Sequence, residues 1–162
     1  MVQVVAIRLW PDPVLHEVSQ PVTVFDEELA RLVNRMASAM YTAKGIGLAA
    51  VQIGVLKRIF LIGGMTGIVP YVNPVIVRAG EPEAMPEGCL SFPRVYDRIE
   101  RPGIVQVQWQ DLQGAVQNSV YSGLTARVFQ HELDHLNGIT FDTYMTPQAQ
   151  KTLAKQAKRR VE

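Results

Sequence analysis

IVQVQWQDLQGAVQNSVYSGLTARVFQHELDHLNG, residues 104–138, is the stretch whose reading decides the fold. Ile104 to Gln110 alternates, with Val105, Val107 and Trp109 on one side and mostly glutamines on the other. Asp111-Leu112-Gln113-Gly114 reads as a turn, and Ala115 to Ser122 returns as the partner strand of a hairpin. The period then changes. From about Leu124 to Asn137 the pattern is helical, closed by Gly138 as its C-cap. A strand pair running into a helix sets the class as α+β.

Working outward, Lys57 to Ile62 is short, apolar and β-like, and Val69 to Val77 is a second extended candidate despite Pro70 and Pro74. Asp26 is a good N-cap with two acidic residues behind it. Leu29, Leu32, Val33, Met36 and Met40 follow at helical spacing, and Gly45 is expected to end that helix. Asp12 to Glu17 can make one short helical turn, with Pro13 at its first position. A last helix is expected from about Pro147 to Val161. The 162 residues contain no repeat and no linker, so a single domain over 1–162 is expected. A chain of this size buries roughly two-thirds of its unfolded surface.

Composition narrows the class further. With 48% apolar and 19% charged residues, the chain reads as an ordinary globular protein. A net charge of +1 marks neither a nucleic-acid binder nor a strongly acidic protein, yet the charge is uneven. From Leu29 to Gly80 there is no Asp or Glu, while Arg31, Arg35, Lys44, Lys57, Arg58 and Arg78 lie in that span. No apolar run approaches the roughly 18 residues of a membrane span, and Met1 to Pro13 lacks the layout of a secretory signal. Cys89 is the single cysteine, which excludes an intramolecular disulfide and suits a reducing compartment. A cytoplasmic location is expected.

The chemistry concentrates in His131-Glu132-Leu133-Asp134-His135. On a helix, two histidines four residues apart project from one face and can grip one metal ion. Glu132 lies about 100° around the helix from His131, placed to act on a water without ligating the metal. A metal acidifies water, and a carboxylate can take its proton and later deliver it. Leu124 and Val128 share the stripe of His131 and His135, so an apolar side chain of a substrate could lie beside the metal, or the two could simply face the core.

A catalytic site needs a third protein ligand and an open position. His16 and Cys89 are the candidates, and Cys89 is the better one because Gly88 beside it leaves room for close approach. A small buried hydrophobe is the bland reading of that cysteine. Gly45-Ile46-Gly47-Leu48-Ala49-Ala50 matches a loose dinucleotide fingerprint but fails on context. It follows a helix, and no acidic residue occurs before Glu81. No dinucleotide is expected. Its small residues can instead offer backbone to an extended ligand, and Gln52 carries an amide that could face an oxyanion or merely cap a turn.

Gly45-Ile46-Gly47-Leu48-Ala49-Ala50-Val51-Gln52, Glu87-Gly88-Cys89-Leu90-Ser91 and Gln130-His131-Glu132-Leu133-Asp134-His135 together resemble the three signature motifs of the peptide deformylase family, in order and at suitable separations. Pro11 to Leu15 resembles the family's N-terminal segment. The resemblance implies that Cys89, His131 and His135 bind one metal ion per chain, natively Fe2+, with Zn2+, Ni2+ or Co2+ able to replace it. The ligand types alone would have suggested zinc. It implies Glu132 as general acid/base, with the Gln52 side chain and the Leu90 N–H on the oxyanion. Ile46, Gly47 and Gly88 would line the peptide backbone, while Leu124 and Val128 would form part of the methionine pocket. The implied fold is antiparallel strands packed around a central metal-binding helix, with an additional N-terminal helix and a C-terminal helix. The implied substrate is the N-formylmethionyl end of nascent peptides.

Where some members carry an arginine near the substrate, this chain has Tyr96. Asp134 can pair with Arg101 to orient the helix, or stay a solvated charge. The last helix carries Lys151, Lys155, Lys158, Arg159 and Arg160, a solvated basic face or a ribosome contact. Three alternatives stay open: a His-Glu-x-x-His metallopeptidase cutting internal amides, a structural zinc module closed by His16, and a deformylase-like protein with an altered substrate.

Overall fold

Asp26 Oδ1 accepts a hydrogen bond from Leu29 N at 3.2 Å and starts the first helix, α1 (Glu27–Thr42). Leu29, Leu32, Met36 and Met40 form its buried stripe. The helix stops before Gly45. Ala43 caps it, and Lys44 takes the left-handed turn at φ 58°, so Gly45 N can reach back to Met40 O. The computed structural model describes residues 5–161.

After α1 come β1 (Gly47–Ala49), β2 (Ile59–Gly64), β3 (Gly67–Ala79), β4 (Pro82–Cys89), β5 (Phe92–Pro102), β6 (Ile104–Gln110), β7 (Val116–Ser122), α2 (Gly123–Leu136) and α3 (Pro147–Val161). Five strands form one antiparallel sheet in the order β1-β2-β3-β6-β7. The expected hairpin is there, with Val107 opposite Ser119 and Ile104 opposite Ser122. Val105, Val107 and Trp109 face inward as the alternation requires. They pack with Phe60, Tyr71 and Phe129, where Phe60 and Phe129 meet edge to face at 4.9 Å. This cluster seats α2 on the sheet.

β4 and β5 make a separate two-stranded sheet, which the sequence reading left without strands. Pro82, Pro86, Pro93 and Pro102 hid it. Each strand of a two-stranded sheet has a free edge, so prolines that cannot donate to a ladder are tolerated there. The register shifts between Gly88 and Cys89, and that irregularity sets Cys89 at the end of the ribbon, facing α2. The short turn at Pro13–His16 forms as a 3-10 helix capped by Asp12, and α3 spans the expected residues and packs on β5. Among the described residues no helix is long and apolar enough to cross a membrane.

Candidate metal centre

The irregular end of β4 and the C-terminal half of α2 bring one thiol and two imidazoles together. The ligand atoms of Cys89, His131 and His135 all lie within 4.8 Å of one another. Cys89 Sγ stands 3.3 Å from His135 Nε2. Sulfur and imidazole bound to a single tetrahedral ion sit about 3.5 Å apart, so the spacing suits a cation. His131 and His135 are 7% and 1% exposed, which leaves the trio open to solvent chiefly past Cys89. His135 Nδ1 and Glu132 Oε2 are buried with no hydrogen-bond partner among the described residues. His16 is exposed and outside this trio, so it does not close a four-ligand site.

Charge follows burial. Burial raises the Glu132 carboxyl to about 7. At His135 burial likewise disfavours the charged form and lowers the pKa. Burial alone would lower His131 too, but the Cys89 sulfur and the Glu87 carboxylate hold its proton and raise it well above the ordinary value. The Cys89 sulfur and the Glu87 carboxylate thus both draw positive charge toward His131.

Glu87 is the residue that sequence reading left without a role. Its Oε1 lies 2.7 Å from His131 Nδ1, and Arg101 reaches it twice, through Nε at 2.6 Å and Nη2 at 3.0 Å. Arg127 Nη1 adds a third cationic contact at 2.7 Å. Burial opposes a charged Glu87, yet the hydrogen bonds from His131 and Arg101 win and lower it to about 2. Arg101 also pairs with Asp134 at 2.8 Å, so Asp134 is an ion-pair partner and not a solvated charge. The available signal was general: a ligating histidine usually gives its second nitrogen to a carboxylate.

The glycine-rich segment runs from helix α1 into strand β1, the reverse of a dinucleotide turn. Gln52 caps the turn, and its amide nitrogen lies beside Cys89. Its Oε1 accepts from Ala49 N at 2.9 Å as a cap, and its Nε2 donates to Ser91 Oγ at 3.0 Å, with Cys89 Sγ at 3.6 Å. Ser91, also unassigned in the sequence, thereby holds the amide next to Cys89. Gly47 backs onto Glu132, where an added Cβ would fall 2.7 Å from Oε1 and 2.8 Å from Val128 Cγ1. Gly88 abuts the Tyr96 ring.

Above the trio opens a cleft of about 400 Å³. Ile46, Gly47, Gly88, Leu90, Leu124 and Val128 line it, with Cys89, His131 and Glu132 at its floor. Val128 is 8% exposed and Leu124 57%, so one closes the wall and the other stands at the entrance.

A thiol, two imidazoles and a neighbouring carboxyl under such a cleft define a class, the metal-dependent hydrolases. Residues 4–151 match the family model described as polypeptide deformylase, and the chain belongs to that family. A peptide deformylase of Thermotoga neapolitana is 43% identical over 150 residues, covering 92% of each chain. One from Rhizobium meliloti is 43% identical over 142 residues, covering 84% of this chain and 82% of its own. Among solved structures, the Legionella pneumophila peptide deformylase superposes with a TM-score of 0.91 at 36% identity, covering 99% of both chains. The Thermotoga maritima enzyme gives 0.87 at 41% identity, covering 90% of this chain and 100% of the other.

Proposed function

We propose that this protein removes the formyl group from N-formylmethionine at the start of newly made polypeptides, releasing formate, in the cytoplasm. The observation that carries the reading is the Cys89–His131–His135 trio with Glu132 beside it, in a chain of the deformylase family. Cys89, His131 and His135 are the residues that would hold the ion, ferrous iron by family precedent, with zinc, nickel or cobalt as substitutes. Bound there, the ion supplies Lewis acidity toward water and the formyl carbonyl.

The chain's own groups do the rest. Glu132 takes a proton from the attacking water and delivers it to the amine nitrogen as the C–N bond breaks, so formate and a free N-terminus leave. The Gln52 amide, held by Ala49 and Ser91, and the Leu90 N–H face the oxygen on which charge develops. Gly47 leaves space for a formyl hydrogen and little for an acetyl methyl, because Glu132 and Val128 already press on it. Val128 and Leu124 receive the methionine side chain, and Ile46, Gly47 and Gly88 run beside the peptide backbone.

On this reading residues 1–162 form one catalytic domain with α2 as its central metal-binding helix. The basic face of α3 (Lys151, Lys155, Lys158, Arg159) is the surface offered to ribosomal RNA. Loss of residues 150–162 should then reduce ribosome co-sedimentation. The central test is formate release from formyl-Met-Ala peptide by anaerobically prepared, iron-loaded protein. Loaded protein that binds the ion and releases no formate would end the proposal.

A further inference from the structure

Two cations at the cleft have no part in formyl removal. Lys44 and Arg94 line the cleft that holds Cys89, His131 and Glu132, and both are exposed. Among the described residues neither has an ion-pair partner. The other charged side chains lining the cleft are Glu87, Arg127 and Glu132. Glu87 and Arg127 are 6% and 3% exposed and bonded to each other, and Glu132 is 4% exposed at the floor. The charge that meets solvent at the mouth is therefore positive.

The two cations stand on walls that touch. Lys44 follows α1, and a Cβ on the next residue, Gly45, would fall 2.5 Å from Leu90 Cδ1 in the β4–β5 turn. Arg94 lies two residues into β5, past that same turn. Tyr96, 74% exposed, spreads its ring beside Gly88 on the Arg94 side. Both cations hold left-handed backbone, at φ 58° for Lys44 and 64° for Arg94, where glycine or asparagine would sit at less cost. Side-chain chemistry, not backbone fit, distinguishes lysine and arginine at these positions. The acid-free span from Leu29 to Gly80 puts no carboxylate on the Lys44 wall.

We infer that Lys44 and Arg94 are specificity-determining residues: they favour substrates with Asp or Glu just downstream of formylmethionine and disfavour Lys or Arg there. The inference rests on the deformylase reading. With the methionine side chain against Val128, each later residue advances about 3.3 Å in extended form, so the second and third residues leave through the mouth. Unpaired surface charges in water exert weak, salt-screened forces, which sets the expected preference at about threefold to tenfold.

The test uses three peptide amides, formyl-Met-Ala-Asp, formyl-Met-Ala-Ala and formyl-Met-Ala-Lys, with the metal-loaded protein. At low salt, kcat/KM should fall in that order, with the difference in KM, and should converge as salt rises. K44E/R94E should invert the Asp-to-Lys ratio. K44M/R94M should bring it to unity, and a ratio taken within one variant is insensitive to how much of it folds. Equal kcat/KM for all three peptides, or a preference unmoved by both double variants, overturns the inference and leaves the deformylase reading standing. No formate from the alanine peptide removes both.

Discussion

His131 Nδ1 and Glu87 Oε1 lie 2.7 Å apart, and this contact turns the other ring nitrogen of His131 toward Cys89 and His135. The carboxylate is itself gripped by Arg101 and Arg127, which tie β4, β5 and α2 together at the site. Glu87→Gln removes the anion and leaves two buried guanidinium groups short of charge. Breaking a buried ion pair on one side costs roughly 3–5 kcal/mol, and losing the carboxylate behind a ligating histidine costs about 10- to 100-fold in metal affinity. Urea unfolding and a metal titration measure the two effects. A variant as stable and as metal-avid as the parent would mean the network is ornamental.

Cys89 and Glu132 should fail in different ways. Cys89→Ala removes one of three donors and should abolish tight metal binding, as a metallopeptidase without a cysteine ligand would not require. Glu132→Ala should keep the ion and lose roughly 10²–10⁴ in turnover. Metal content by elemental analysis, read beside formate release, separates the two. Loss of metal from the Glu132 variant would place that carboxyl among the ligands instead.

Gly47 tests the fit of the cleft floor. A methyl group there meets Glu132 Oε1 at 2.7 Å and Val128 Cγ1 at 2.8 Å, so Glu132 must move. Gly47→Ala should fold, bind metal, and lose about 10²-fold in kcat/KM, since a displacement near 1 Å at a reacting group has that cost. Normal turnover in a folded Gly47→Ala would show that the carboxyl has room to spare.

The helices, the 104–122 hairpin and the His131–His135 pair were legible because each leaves a periodic or spaced mark in the chain, whereas Cys89 was singled out by Gly88 beside it and by the family resemblance. Asp26, the stripe from Leu29 to Met40, and the alternation of Val105, Val107 and Trp109 all point where the structure puts them. The β4–β5 ribbon was not legible. Its prolines and acids read as loop, and only a two-stranded sheet makes them acceptable. Lys44 displaced Gly45 as the left-handed residue after α1 because a non-glycine can hold that turn at modest cost. Glu87, Arg101 and Arg127 meet across 40 residues of sequence, and no local pattern announces a contact between residues that far apart.

Tyr71 gives the fold an alkaline limit away from the metal centre. It is 3% exposed, and its hydroxyl lies 2.9 Å from that of Tyr121. Burial first, and the Tyr121 hydroxyl second, raise its pKa above the ordinary tyrosine value. The folded state thus favours the protonated phenol. Its stabilising contribution is complete below about pH 10 and is lost as pH climbs from there toward the raised folded value. Each pH unit in that window removes up to about 1.4 kcal/mol per such group. Tyr71→Phe should cost about 1 kcal/mol near neutral pH through the lost hydrogen bond and then decline less steeply above about pH 10. Urea midpoints of both proteins between about pH 8 and 11 decide the matter. Parallel curves would mean that Tyr71 ionises as readily in the folded protein as in the unfolded chain.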